Sequence, residues 1–181
     1  MRSIVLAGVA MVTMTAAQAL AQEPRPAEKA ATMAADAGFV MKAAKGGMAE
    51  VELGKLAAEK ASSADVKKFG QRMADDHGKA ADELKALAKT KNITLPTEID
   101  AKDRALVQRL SGLSGNAFDR AYMRAMLADH RKDVAEFRTE SRSGKDPDVK
   151  AWAAKTLPTL EEHLKLAQDA DKAVGTSGKK N

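Results

Sequence analysis

The sequence predicts an all-α fold, a four-helix bundle built from two helical hairpins joined by a long crossover that carries a short helix of its own. Three observations predict it. The chain is rich in Ala, Leu, Lys and Met, has few β-branched residues and is only 3% aromatic, a composition of strong helix formers. Apolar residues recur every three or four positions through four long stretches, the period of one helix face. The breaks between these stretches run short, long, short, and two tight turns flanking a connection of roughly 25 residues describe a bundle with one crossover.

The first 21 residues read as a secretory signal peptide. Arg2 gives a basic start, Ile4 to Ala17 is almost wholly apolar, and Ala19-Leu20-Ala21 supplies a small-x-small cleavage site before Gln22. The apolar run is too short to span a bilayer. No Cys occurs, which excludes disulfides, thiolate metal sites, a lipid-modified N-terminal Cys and a Cys nucleophile. The expected destination is the periplasm. Residues 22–33, with Pro24 and Pro26, read as a linker, residues 34–173 as the bundle domain, and residues 174–181 as a disordered polar tail.

The first long helix is expected over Ala34 to Ala61, with Phe39, Ala43, Gly46, Glu50, Leu53 and Ala57 on its apolar face. Gly46-Gly47 weakens this helix. An inward Gly46 either permits close helix approach or leaves room above Glu50. A Ser62-Ser63 cap opens the second helix, which runs to about Lys89 with Val66, Phe69, Met73, His77, Ala80, Leu84 and Leu87 inward. Asn92 to Pro96 breaks the pattern, a short helix spans about Thr97 to Leu110, and Ser111 to Gly115 forms a turn. The third long helix, Asn116 to Arg142, turns Met123, Met126, His130, Val134 and Phe137 inward, and Gly144 stops it. Asp146-Pro147-Asp148 starts the fourth, with a cap, a first-turn proline and an acid at the positive end of the dipole. Its face carries Trp152, Thr156, Leu160 or Thr159, His163, Ala167 and Ala170, and Pro158 is expected to kink it. The crossover is long enough to traverse the bundle, so the second and third long helices should run parallel, the ferritin-like wiring.

Each of the chain's three histidines, His77, His130 and His163, falls on the apolar face of a different helix, and Glu50 on that of a fourth. From a rise of about 1.5 Å per residue, Glu50 and His77 lie about 18 and 22 Å below the first turn, and His130 and His163 about 22 and 27 Å above the second. In helices about 42 Å long, the four fall within roughly 7 Å of one level. One carboxylate and three neutral imidazoles converging on a point suit a single transition metal ion such as Zn, Cu, Fe or Ni. Met73 and Met126, one turn from their histidines, would tilt the choice toward Cu(I) or simply fill core. The competing reading is a hydrogen-bonded polar core in which Glu50 partners the histidines. Asp76 and Asp129 precede two of the histidines and point about 100° away from them, so they either brace a neighbouring helix's imidazole or form salt bridges.

Other chemistries find little support. Three residues before the histidines stand Ala74, Leu127 and Leu160 rather than the Glu of a di-iron bundle. No Ser-His-Asp order, phosphate-binding glycine loop or His-Glu-x-x-His motif occurs, so an enzyme using His as base is the weakest reading. Thirty basic and twenty-five acidic residues are interleaved, for a net charge of +5, which describes a solvated helix surface rather than a nucleic-acid stripe. Lys179 and Lys180 are a thin basis for weak envelope association, and an oligomer is compatible with everything above.

Phe39-Val40 with Ala43-Ala44, Gly47-Met48-Ala49-Glu50-Val51, Asp76-His77, Leu95-Pro96, Leu113-Ser114-Gly115 with Phe118-Asp119, Asp129-His130 and Thr156-Leu157-Pro158-Thr159-Leu160 with His163 together carry a resemblance. The chain resembles a family of exported bacterial proteins known as domain of unknown function 4142. The resemblance implies a ferritin-like bundle in the periplasm or envelope. It places Glu50, His77, His130 and His163 on motif positions of the family and supplies no activity for them.

Overall fold

A computed structural model describes the backbone of residues 26–177 and the side chains of residues 34–175. The secondary structure of the described residues is all α-helix: α1 (Pro26–Lys60), α2 (Ala64–Thr90), α3 (Ala101–Ser111), α4 (Gly115–Ser143) and α5 (Pro147–Ser177). α1 packs along α2 and α4 along α5, each pair an antiparallel hairpin. α2 also meets α5 and α1 meets α4, so α2 and α4 lie on opposite corners of the bundle. The short α3 rides on α1 and α4 as part of the crossover. Asp119 at the start of α4 touches the α1–α2 turn, and Asp36 near the start of α1 touches the α4–α5 turn. α2 and α4 therefore both run from the same end of the bundle, the parallel arrangement expected of a traversing crossover.

Two boundaries differ from expectation. α1 begins at Pro26, inside the segment 22–33 expected to be a linker. Proline is favoured at the first helical position, where its missing N–H has no partner to lose, and the Ala-rich residues after it continue the helix. α5 extends to Ser177 and buries Val174 beside Ala170, so the start of the expected tail belongs to the core. Residues 1–21, expected to be a signal peptide, lie outside the described residues, as do residues 178–181. α5 runs on through Pro158.

Each hairpin turn is held by a carboxylate from the other hairpin. Asp119, fully buried, accepts from the Ser62 and Ser63 amides at 3.0 and 2.8 Å and from the Ser62 hydroxyl at 2.5 Å. These contacts replace the expected serine cap, since Ser63 makes no side-chain capping bond. At the opposite end, Asp36 accepts from the Lys145 and Asp146 amides. Lys91 there pairs with Asp146 at 2.7 Å and Asp148 at 2.6 Å, tying the start of the crossover to the second turn.

α1 and α2 approach closely at a glycine pair that the face pattern did not single out. A Cβ on Gly70 would stand 2.7 Å from both the Ala57 Cβ and the Gly54 carbonyl oxygen, and one on Gly54 2.6 Å from the Gly70 carbonyl oxygen. Gly46 and Gly47 have open space where a Cβ would stand. Of the two roles open to Gly46 on sequence, the structure shows the one that leaves room. Opposite stability changes are expected. Gly70→Ala should destabilise by about 2–3 kcal/mol through overpacking, whereas Gly46→Ala should stabilise by about 0.5–1 kcal/mol by restricting the unfolded chain. Urea denaturation of the two variants checks both signs.

The buried apolar residues form two clusters. One, nearer the α1–α2 turn, contains Leu53, Phe69, Met73, Phe118, Tyr122 and Met126. The other, nearer the α4–α5 turn, is built on Phe39, Phe137 and Trp152, with ring centroids 4.9 to 6.1 Å apart. Neither cluster includes Glu50, His77, His130 or His163, although all four are buried.

Candidate metal centre

The three imidazoles meet. Their ring centroids lie 5.6 Å (His77–His130), 5.3 Å (His77–His163) and 5.4 Å (His130–His163) apart, a nearly equilateral triangle supplied by α2, α4 and α5. One nitrogen from each ring lies within 4.8 Å of those of the other two. His77 is 6% exposed, His130 0% and His163 1%, so the polar edges that face one another are shielded from water.

On each ring one nitrogen is committed and the other free. His130 Nδ1 lies 2.9 Å from the Met126 carbonyl oxygen. That oxygen only accepts, so Nδ1 carries the proton and Nε2 presents a lone pair. His163 Nε2 donates to Asp76 Oδ2 at 3.0 Å, which leaves Nδ1 bare. His77 Nδ1 lies 3.0 Å from Glu50 Oε2, its nearest polar neighbour, while its Nε2 is bare. His77 Nε2, His130 Nε2 and His163 Nδ1 have no hydrogen-bond partner.

Asp76 thus braces an imidazole from a neighbouring helix, one of the two roles its position allowed. It also accepts from Arg72 at 3.1 Å, which makes it an ion-pair partner as well. Asp129 lines a cavity between α1 and α4 instead. Glu50 stands behind the rings. Its Oε2 faces His77 Nδ1, and its Oε1 lies 3.5 Å from His130 Nδ1, long for a hydrogen bond. Both contacts are to the committed nitrogens, so the carboxylate lies on the outer side of two rings. Met73 and Met126 are fully buried in the apolar cluster nearer the α1–α2 turn.

The electrostatics keep the imidazoles neutral. Burial holds His77 well below the usual imidazole value, and the neighbouring His130 and His163 push the same way. Burial pushes His130 down to about 4, with His163 adding to the shift. Burial also lowers His163, against the pull of Asp76. The carboxyls shift the other way. Glu50 is raised well above the usual range by burial and then by the negative charges of Asp133 and Asp129. Asp133 is pushed up to about 7, chiefly by burial. Burial pushes Asp76 up as well, but hydrogen bonds from His163 and Arg72 outweigh it, and its carboxyl lies below the ordinary value.

The pattern common to Domain of unknown function (DUF4142) matches this sequence over residues 21–170, nearly the whole described bundle. The chain belongs to the DUF4142 family. No curated protein and no solved structure matches it. The matched span of this DUF4142 chain contains Glu50 and all three histidines, so the whole polar cluster lies in its family domain.

A cavity of about 240 Å³ adjoins the cluster, with Glu50 and His77 in its wall. Gly46, Gly47 and Ala49 of α1 line another part of it, and Asp129, Asp133 and Glu136 of α4 a third. The spacing on α1 carried the signal for this cavity, in the Gly46-Gly47 pair one turn before Glu50. The carboxylates of α4 carried none, because acids on a helix surface are ordinary until a neighbour half-covers them.

Proposed function

We propose that this protein binds one transition metal ion through His77, His130 and His163 and serves metal handling or redox defence in the bacterial periplasm. The observation that carries the reading is the buried triad of rings from three helices, each with one partnerless nitrogen and each offering a nitrogen within 4.8 Å of those of the other two. A buried acceptor without a donor costs about 1–3 kcal/mol, and one cation relieves all three. Neutral imidazoles are the ligand form, and each ring's second nitrogen has the outer partner that fixes ring orientation at metal sites. The donor set suits Zn or Cu and also accommodates Fe. Three protein ligands leave the fourth position of a tetrahedral ion open. Glu50, placed among the ligands by spacing alone, acts here on His77 and His130 from outside. Export rests on the signal-like N-terminus; no helix among the described residues is long and apolar enough to cross a membrane.

Cobalt(II) titration tests the proposal. One equivalent should give the intense visible bands of a tetrahedral nitrogen site. Weak octahedral bands, or none, would overturn it.

The pH dependence follows from the shifted groups. Free imidazoles would lose metal to protons around pH 6.5. Here His130 resists protonation down to about 4, so ligand competition starts late. The carboxyls beside the site take protons earlier: Glu50, raised well above the usual range, and Asp133, held up at about 7. Affinity should decline gently below pH 7, as Asp133 protonates and its negative charge near the site is lost, and steeply only below the ordinary imidazole range, where the three lowered histidines take protons. A single steep loss centred at 6.5 in zinc-binding titrations would contradict this. The apo protein feels opposing effects. The lowered imidazoles contribute stability fully above pH 6.5 and lose it as pH falls through their lowered values, about 4 for His130, whereas raised Asp133 contributes fully below its ordinary value and loses it as pH rises through 7.

One observation favours a second reading. The Glu50–His77 bond joins α1 to α2 and the Asp76–His163 bond joins α2 to α5, so the polar layer also fixes helix register. An envelope protein acting through its surface, with a purely structural polar core, would keep its function when Glu50 and His77 are replaced together by apolar residues, and would gain stability.

A further inference from the structure

The cavity beside the histidines has a graded lining. At its rim stand the exposed side chains of Lys42, Asp100, Lys102 and Lys132, a mixed set. Further in, the half-buried lining is Asp103, Asp129, Asp133 and Glu136 against the single cation Lys45. At the inner wall stand Glu50 and His77, 5% and 6% exposed. His77 Nε2, one of the three lone pairs without a partner, thus belongs to a side chain of the cavity wall.

From this gradient we infer that the cavity between α1, α4 and the start of α3 is the loading route by which a divalent metal cation reaches the three histidines from solvent. The inference rests on the metal reading of those histidines. A bare ion cannot cross the two apolar clusters, because desolvating it there has no compensation. The cavity offers carboxylate oxygens in place of water along the way. Low-dielectric walls lined by one sign of charge also concentrate cations and raise association rates by about 10- to 1,000-fold.

The glycines of α1 fit this role. Gly46 and Gly47 line the cavity and have no atom within 4 Å of where a Cβ would stand. The passage therefore stays open at the cost of helix propensity in α1. A large side chain at position 46 would fill the space.

The test is stopped-flow loading with cobalt(II), read by quenching of the chain's one tryptophan, Trp152, which also lines the cavity, and by the visible bands of the bound ion. The Asp103→Asn/Asp129→Asn double variant should load about tenfold more slowly or worse, lose most of the salt dependence of the rate, and still bind one equivalent at equilibrium. Gly46→Leu should load slowly by obstruction, with its salt dependence kept, and Gly46→Ala should load at the wild-type rate. Wild-type rates in both the acid variant and Gly46→Leu, with one equivalent bound, would overturn the route and leave the histidine site standing. No cobalt uptake by the wild-type protein would overturn both.

Discussion

Replacing His130 with Ala is expected to abolish stoichiometric metal binding, with an affinity loss of about 100-fold or more, since losing even an outer partner of a ligand costs about 10- to 100-fold. His130 is fully buried, and its Nδ1 bond to the Met126 carbonyl fixes which nitrogen is bare. No other side chain among the described residues is placed to substitute, because the potential ligand cluster is these three histidines alone. Glu50→Gln separates the two roles open to that residue. It keeps a carbonyl acceptor for His77 but removes the acid, so binding should weaken by about 10- to 100-fold at unchanged stoichiometry. Complete loss of metal in Glu50→Gln, matching His130→Ala, would make the carboxylate a direct ligand. Zinc competition with a chromophoric chelator measures both, and circular dichroism of each apo variant shows whether the bundle persists.

Replacing Asp119 with Ala is expected to cost the most stability of any single polar change away from the histidines. Its carboxylate, fully buried, receives two amides and one hydroxyl from the α1–α2 turn. Alanine would remove all three bonds at once, leaving only the water that reaches the partly exposed turn to replace them. Charged hydrogen bonds are worth about 1.5–3 kcal/mol each and are not additive, so a loss of roughly 3–5 kcal/mol follows. For a chain of this size that lowers Tm by about 10 °C or more. Ser62→Ala removes only the hydroxyl contact and should cost about 1 kcal/mol. Equal, small shifts in the two variants would show that the turn is held by other means.

Asp119 also shows where sequence reasoning stops. Its partners lie 56 and 57 residues away, and no local period marks an aspartate that caps a turn in another hairpin. Asp36 at the opposite end is the same case. The Gly54–Gly70 contact was hidden for a related reason: spacing gives the face of a helix but not the point where two faces come closest. Pro26 suggests a linker in the sequence but at a helix start it is a builder, and Val174 falls in the expected tail although one more turn of α5 buries it.

What was legible rested on period and length. The four long helices, the parallel course of α2 and α4 and the common depth of Glu50, His77, His130 and His163 all follow from apolar spacing and a fixed rise per residue. Phe69-x-x-x-Met73-x-x-x-His77 of α2 and Tyr122-x-x-x-Met126-x-x-x-His130 of α4 share one spacing. The two stretches lie on opposite corners and meet across the core, with Phe69 6.2 Å from Tyr122 and 6.3 Å from His130. Depth says that four polar groups share a level. It does not say which edge of each imidazole faces inward, and that orientation, set by Met126, Asp76 and Glu50, distinguishes a ligand cluster from a hydrogen-bonded core.

The most direct measurement is the metal content of the untagged protein, purified from its native compartment and analysed by elemental mass spectrometry beside a His77→Ala/His130→Ala variant. About one equivalent of a single transition metal in the wild type and none in the variant is the predicted result. Adding that metal to the apo wild type should then raise its Tm, since a ligand at 100 times its Kd stabilises by about 2.7 kcal/mol. No bound metal, with a melting transition that added zinc, copper or iron leaves unmoved, would contradict the metal site.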